Sequence, residues 1–156
     1  MKLDILYATQ TGNAEVVANN LSTLAKTKGF IVNINEMNFY TMDQFRKLEN
    51  VAIVTSTYGE GEVPEMGIEF WKDLEHSSTK ISNLKYGLIA LGDRSHDIFC
   101  GAGKAISKKL DELNGKKIIE NLECDGDTEG TQEWSVKFLD ILESKDWNDQ
   151  IQYMVF

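Results

Sequence analysis

Proline is almost missing from this chain: Pro64 is the only one in 156 residues, so no polyproline segment and no Pro-rich linker divides it. Cysteine and histidine are nearly as scarce, with two of each. Cys100 and Cys124 form neither a CxxC pair nor a His/Cys cluster, which excludes a disulfide framework and the usual zinc spacings and fits reduced thiols in a cytoplasmic compartment. Long hydrophobic runs are also lacking. The longest uncharged apolar stretch, Tyr86 to Gly92, is far short of the roughly 20 residues that a spanning helix needs. An acid at Asp4 stands where a secretory leader would place its apolar core, so neither export nor a membrane partner is expected. Bases are the minority charge, 16 against 25 acids for a net charge of −9. That sign argues against nucleic acid as a partner, because phosphate backbones are held by clustered Lys and Arg.

What is present is the composition of a folded globular protein: 42% apolar, 26% charged and 10% aromatic. A chain of this length buries about 70% of the surface its unfolded form would expose, enough for one domain over residues 1–156 without a metal or disulfide staple. The acids are not spread evenly. Four acids and no base lie between Tyr58 and Glu69, and five acids and no base between Glu123 and Glu133. Such runs solubilise a face, and they also steer basic partners.

Apolar runs alternate with helical patterns along the whole chain. Leu3 to Ala8, Val51 to Thr57 and Tyr86 to Asp93 are short and mostly apolar, as strands covered on both faces of a parallel sheet must be. Phe30, Val32 and Ile34 alternate with Ile31, Asn33 and Asn35, which suits a strand nearer the edge, and Lys116 to Cys124 is a weaker fifth strand. Between them Ala14, Val17, Ala18, Leu21, Leu24 and Ala25 keep helical spacing. So do Ile68, Trp71 and Leu74, then Ala102, Ala105, Ile106, Leu110 and Leu113, and last Trp134, Phe138, Ile141 and Leu142. Thr41-Met42-Asp43-Gln44 has the form of a capping box, and Gly29 and Gly115 stand where helix C-terminal glycines belong. The alternation predicts an α/β fold, a doubly wound five-stranded parallel sheet.

In such a sheet ligands bind outside the carboxyl ends of the strands, so the loops after each strand carry the chemistry. After the first strand comes Thr9-Gln10-Thr11-Gly12-Asn13, leading into a helix with two hydroxyls, two amides and a glycine but no base. That set suits a single phosphate at the positive end of the helix dipole. It is neither the triphosphate loop ending in Gly-Lys-Ser/Thr nor the GxGxxG fingerprint. After the third strand comes Ser56-Thr57-Tyr58-Gly59-Glu60-Gly61-Glu62-Val63-Pro64, and after the fourth Leu91-Gly92-Asp93-Arg94-Ser95-His96-Asp97-Ile98-Phe99-Cys100-Gly101. Each places rings among glycines, giving a flat ligand both a stacking surface and close backbone access.

These three segments, TQTGNAE (Thr9 to Glu15), TSTYGEGEVPE (Thr55 to Glu65) and ALGDRSHDIFCGAGK (Ala90 to Lys104), make the chain resemble the flavodoxins. The resemblance is strongest to the short MioC-type flavodoxins and to the FMN modules of diflavin reductases such as cytochrome P450 reductase and sulfite reductase, and it covers essentially the whole chain. It implies strand order 2-1-3-4-5 and FMN as cofactor. Thr9, Gln10, Thr11, Gly12 and Asn13 would take the FMN phosphate, with Ser56 and Thr57 nearby. Tyr58 would stack on one face of the isoalloxazine, with Glu60 beside it, and Gly59 would offer the carbonyl that turns toward flavin N5 once that atom is protonated. Leu91, Gly92, Asp93, Phe99 and Cys100 would line the other side. Asp125 would stand near the flavin edge, and His96 occupies the position where the family pattern has Tyr.

The resemblance implies a monomeric carrier that transforms no substrate itself. It would take electrons from an NAD(P)H-dependent flavoprotein reductase and pass them singly to an acceptor enzyme with a basic docking face. A flavin-free signalling or interaction module on the same fold is the alternative. A phosphorylated receiver domain fits poorly, since the first and third strands end in Thr9-Gln10-Thr11 and Ser56-Thr57-Tyr58 rather than in cation-binding acids. No GxSxG elbow supports a hydrolase.

Overall fold

The computed structural model describes residues 1–94 and 98–144. Strands β1 (Lys2–Ala8), β2 (Ile31–Glu36), β3 (Asn50–Ser56) and β4 (Lys85–Gly92) form a parallel sheet in the order β2-β1-β3-β4. Helices α1 (Asn13–Thr27), α2 (Met42–Phe45), α3 (Glu65–His76), α4 (Gly101–Glu112) and α5 (Thr131–Glu143) connect and cover them. Every residue of β3 is buried, as an interior strand requires, whereas edge strand β2 alternates between exposed and half-buried positions.

Side chains leave successive strand residues on opposite faces, and the core divides accordingly. Leu3, Ile5, Ala52, Val54, Ile89 and Leu91 pack beneath α1 and α5 with Trp134 and Phe138. Leu6, Ala8, Val51, Ile53, Leu88 and Ala90 pack on the other face with Phe70, Leu74, Ile106 and Leu110. On α3 the fully buried stripe is Gly67, Phe70 and Leu74, while Ile68 and Trp71 of the expected pattern are only partly covered.

The capping box forms as read: the Gln44 amide donates to Thr41 Oγ1 at 3.1 Å and the Thr41 amide to Gln44 Oε1 at 2.9 Å. Both predicted helix ends are Schellman turns. At α1, Gly29 takes φ +91° and the Phe30 amide reaches back to the Ala25 carbonyl. At α4 the left-handed residue is Asn114 (φ +69°) rather than Gly115, and the Gly115 amide closes the turn on the Leu110 carbonyl.

The fifth strand departs from expectation. In place of one strand over Lys116–Cys124 there are two, β5 (Lys116–Lys117) and β6 (Leu122–Asp125), both paired with β4. Tyr86 faces Lys117 and Ile89 faces Leu122, so four residues, Ile118 to Asn121, span the length of Gly87 and Leu88. Ile118 and Ile119 are fully buried, and the Trp134 indole N–H donates to the Glu120 carbonyl at 3.0 Å, holding the detour in place. A Cβ on Gly87 would stand 2.7 Å from the Phe138 ring and 2.8 Å from Trp134, so the absence of a side chain there admits both aromatics.

Candidate functional site

The chain runs from β1 outward to β2, then crosses back to β3 on the other side, and the winding reverses at β1/β3. A cleft of about 380 Å³ opens at the carboxyl ends of β1, β3 and β4, where such folds hold ligands. Its wall is made by Gln10, Thr11 and Asn13 from the first loop, Ser56, Thr57, Tyr58 and Gly59 from the second, Leu91, Gly92 and Asp93 from the third, and Gly126 and Asp127 after β6.

The first loop is prepared as an anion seat. Gly12 closes it with φ +97°, a conformation that favours glycine. Its amide donates to Thr9 Oγ1 at 2.8 Å, and its carbonyl accepts the Val16 amide in the first turn of α1. Thr9 is therefore buried behind the loop as its support, while Gln10, Thr11 and Asn13 reach the cleft. Thr57 is the informative residue. It is 6% exposed, lines the cleft, and its Oγ1 is buried with no hydrogen-bond partner. An orphaned buried hydroxyl costs about 1–3 kcal/mol, and this one belongs to a residue of the cleft wall.

Tyr58 stands 52% exposed at the mouth, on a tight turn. Its amide donates to the Glu62 carbonyl at 2.8 Å, its carbonyl accepts from Gly61 and Glu62, and Gly59 and Gly61 both have positive φ. The Glu60 amide donates to Glu62 Oε2 at 2.9 Å, so Glu60 belongs to the turn and not to the cleft wall.

Other expected residues lie elsewhere. Cys100 is fully buried behind the wall, against Gly92 and with Sγ 3.5 Å from the Ala90 carbonyl. Burial, with Glu123 adding to it, pushes its thiol up to about 12, and burial with Asp127 and Glu129 pushes Cys124 up to about 11, so both stay protonated and inert. Phe99 is half-buried and close to two cations, with the Arg94 guanidinium 4.3 Å and Lys104 Nζ 5.4 Å from its ring centroid. Asp125 is engaged by Arg94, accepting its backbone N–H at 3.0 Å and lying 3.3 Å from its Nε. His96 falls outside the described residues. Gly126 was not anticipated; its positive φ after the last strand and its amide bond to the Gly92 carbonyl at 2.7 Å bring it to the cleft.

The flavodoxin family model matches residues 5–138. The chain belongs to the flavodoxin family. It is 42% identical over 135 residues to the sulfite reductase [NADPH] flavoprotein alpha-component of Vibrio parahaemolyticus and 37% identical over 135 residues to that of Bacillus subtilis. Each alignment covers 85% of this chain and 22% of the relative, so the chain spans about a fifth of the length of these curated relatives. Among solved structures, a cysteine variant of a flavodoxin from Pseudomonas aeruginosa superposes with a TM-score of 0.80 at 26% identity, over 92% of this chain and all of that one.

Flavodoxins bind FMN, and the cleft fits it. Its donors for a phosphate are uncharged hydroxyls, amides and helix-start backbone, and among the described residues no base lines it. Among the described residues no group of acids, cysteines and histidines could hold a metal ion, and no helix is long and apolar enough to cross a membrane.

Proposed function

We propose that this chain is a single FMN-binding electron-carrier domain of a reducing cytoplasm, placed between an NAD(P)H-dependent flavoprotein reductase and an acceptor enzyme with a basic docking face. The observation that carries this reading is the unpartnered Thr57 hydroxyl in a polar cleft whose phosphate end offers only hydroxyls and amides, beside a half-exposed tyrosine. Gln10, Thr11, Asn13, Ser56 and Thr57 would hold the phosphate, with Thr9 and Gly12 shaping the loop. Tyr58 would cover one face of the ring, and Leu91, Gly92 and Asp93 would line the other. Bound FMN supplies reversible one-electron chemistry. The chain's own part is to fix the phosphate, exclude water from the ring faces and leave one edge open; Gly59, lacking a side chain, gives the peptide after it freedom to turn.

Partner choice would follow from the rim. Glu60, Glu62, Glu65, Asp93, Asp125, Asp127 and Glu129 are all exposed around the mouth, with Arg94 the one base among these loops in the described residues. A basic partner face is attracted to such a rim from a distance. The two buried, protonated thiols suit a reducing compartment.

The test is purification without added cofactor, followed by a visible spectrum and release of the pigment by denaturation. A yellow protein yielding one FMN per chain supports the proposal. A folded, colourless protein that binds no added FMN contradicts it and favours a flavin-free interaction module.

A further inference from the structure

Arg94 makes three contacts that no single one of its neighbours explains. Its backbone N–H donates to Asp125 Oδ1 at 3.0 Å, its Nε lies 3.3 Å from Asp125 Oδ2, and its guanidinium covers the Phe99 ring at 4.3 Å. Arg94 lies two residues beyond β4, Asp125 ends β6 and Phe99 lies two residues before α4, so one side chain joins the ends of three elements. Lys104 of α4 adds a second cation, 5.4 Å from the same ring and 4.0 Å from Glu123 of β6.

The joined elements lead directly to the cleft. Leu91, Gly92 and Asp93, just before Arg94, form its wall, and Gly126 and Asp127, just after Asp125, form another part. The two stretches are tied by the Gly126 amide on the Gly92 carbonyl. On the other side, Cys100 touches Gly92, and a Cβ on Gly101 would stand 2.8 Å from the Gly61 carbonyl, so the start of α4 rests on the tyrosine turn. We propose that Arg94 is a positioning residue: through Asp125 and Phe99 it clamps the ends of β4 and β6 and the start of α4 into the spacing that the FMN cleft requires.

An exposed ion pair by itself contributes little, and Arg94 and Asp125 are both solvent-accessible. What distinguishes this one is the planar guanidinium, which pairs with a carboxylate edge and stacks on a ring at once, a combination lysine cannot reproduce. Asp125, which the resemblance puts near the flavin edge, acts in this proposal through Arg94.

The inference rests on the FMN reading, and the experiment separates the two. FMN is titrated into the FMN-free forms of wild type, Arg94→Ala, Asp125→Ala and the double variant, with hydrogen exchange at the Gly126 amide followed in the same FMN-free proteins. A clamp predicts that both single variants weaken FMN about three- to ten-fold, that the double variant is no worse than the poorer single one because the two act as one unit, and that the Gly126 amide exchanges faster in all three. Arg94→Lys should recover less than half of the loss. A Coulombic influence alone moves the single variants in opposite directions, since FMN is anionic, so tighter binding by Asp125→Ala overturns the clamp. Affinity within twofold of wild type with unchanged exchange overturns it as well. Absence of FMN binding by all four proteins overturns the functional reading on which it rests.

Discussion

Gly101 meets Gly61 backbone to backbone: a Cβ on Gly101 would lie 2.8 Å from the Gly61 carbonyl oxygen and 2.9 Å from its Cα. Both atoms belong to the main chain and cannot swing aside. The contact seats the start of α4 against the turn that presents Tyr58.

Replacing Gly101 with Ala should therefore push the turn outward. Overpacking of this kind costs about 1–3 kcal/mol, and the expected result is a lower thermal midpoint with FMN affinity reduced at least five-fold. Calorimetric melting and FMN titration check it. Gly12→Ala makes the contrast: nothing lies within 4 Å of its Cβ position, so its penalty comes only from holding alanine at φ +97°.

The buried thiols predict a pH dependence. Their folded pKa values lie above the ordinary value near 9, at about 12 for Cys100 and about 11 for Cys124, with burial as the chief cause. The neutral thiol is the form the fold accepts, so the unfolded chain loses these protons first. The stabilisation is complete below about 9 and declines as pH rises from there toward 11. Urea midpoints between pH 8 and 10.5 should fall, and more steeply for wild type than for a Cys100→Ala/Cys124→Ala variant; parallel curves would contradict the assignment.

The acidic rim predicts salt-sensitive electron transfer. With cytochrome c as a basic one-electron acceptor, the second-order rate from the reduced protein should fall as ionic strength rises, because screening reaches about 10 Å at 0.1 M salt. Neutralising Asp127 and Glu129 together to Asn and Gln should flatten that dependence. A rate independent of salt in wild type would remove the docking role from the rim.

Much of this architecture was legible because burial on both faces of a central strand leaves a signature: Val51 to Val54 and Leu88 to Leu91 are short apolar runs bounded by turn signals, and their alternation with helical patterns points to a parallel sheet. The break in the fifth strand was not legible. Lys116 to Cys124 has the apolar content of one strand, and what divides it is the Trp134 indole reaching the Glu120 carbonyl, a contact between residues that no local pattern connects. The site divides in the same way. Thr11, Asn13, Thr57, Tyr58 and Leu91 lie on the cleft as loop position suggested, since loops after strands must gather at one end. Phe99 and Cys100 are not in the cleft lining, and sequence cannot tell which way a loop residue turns. Arg94 reads in sequence as one more surface charge, and its contacts to Asp125 and Phe99 exist only once β6 lies beside β4.

The FMN proposal turns on the unpaired Thr57 hydroxyl. Thr57→Val keeps the shape and removes the orphaned oxygen, so stability and affinity should move in opposite directions. The measurement is a paired one on the same FMN-free preparations: urea unfolding without FMN, and FMN titration. Thr57→Val should be as stable as wild type or up to about 1–2 kcal/mol more stable without FMN, by relief of the unmet hydrogen bond, while binding FMN at least ten-fold more weakly. A variant that binds FMN as tightly as wild type, or a wild type that binds none, would contradict it.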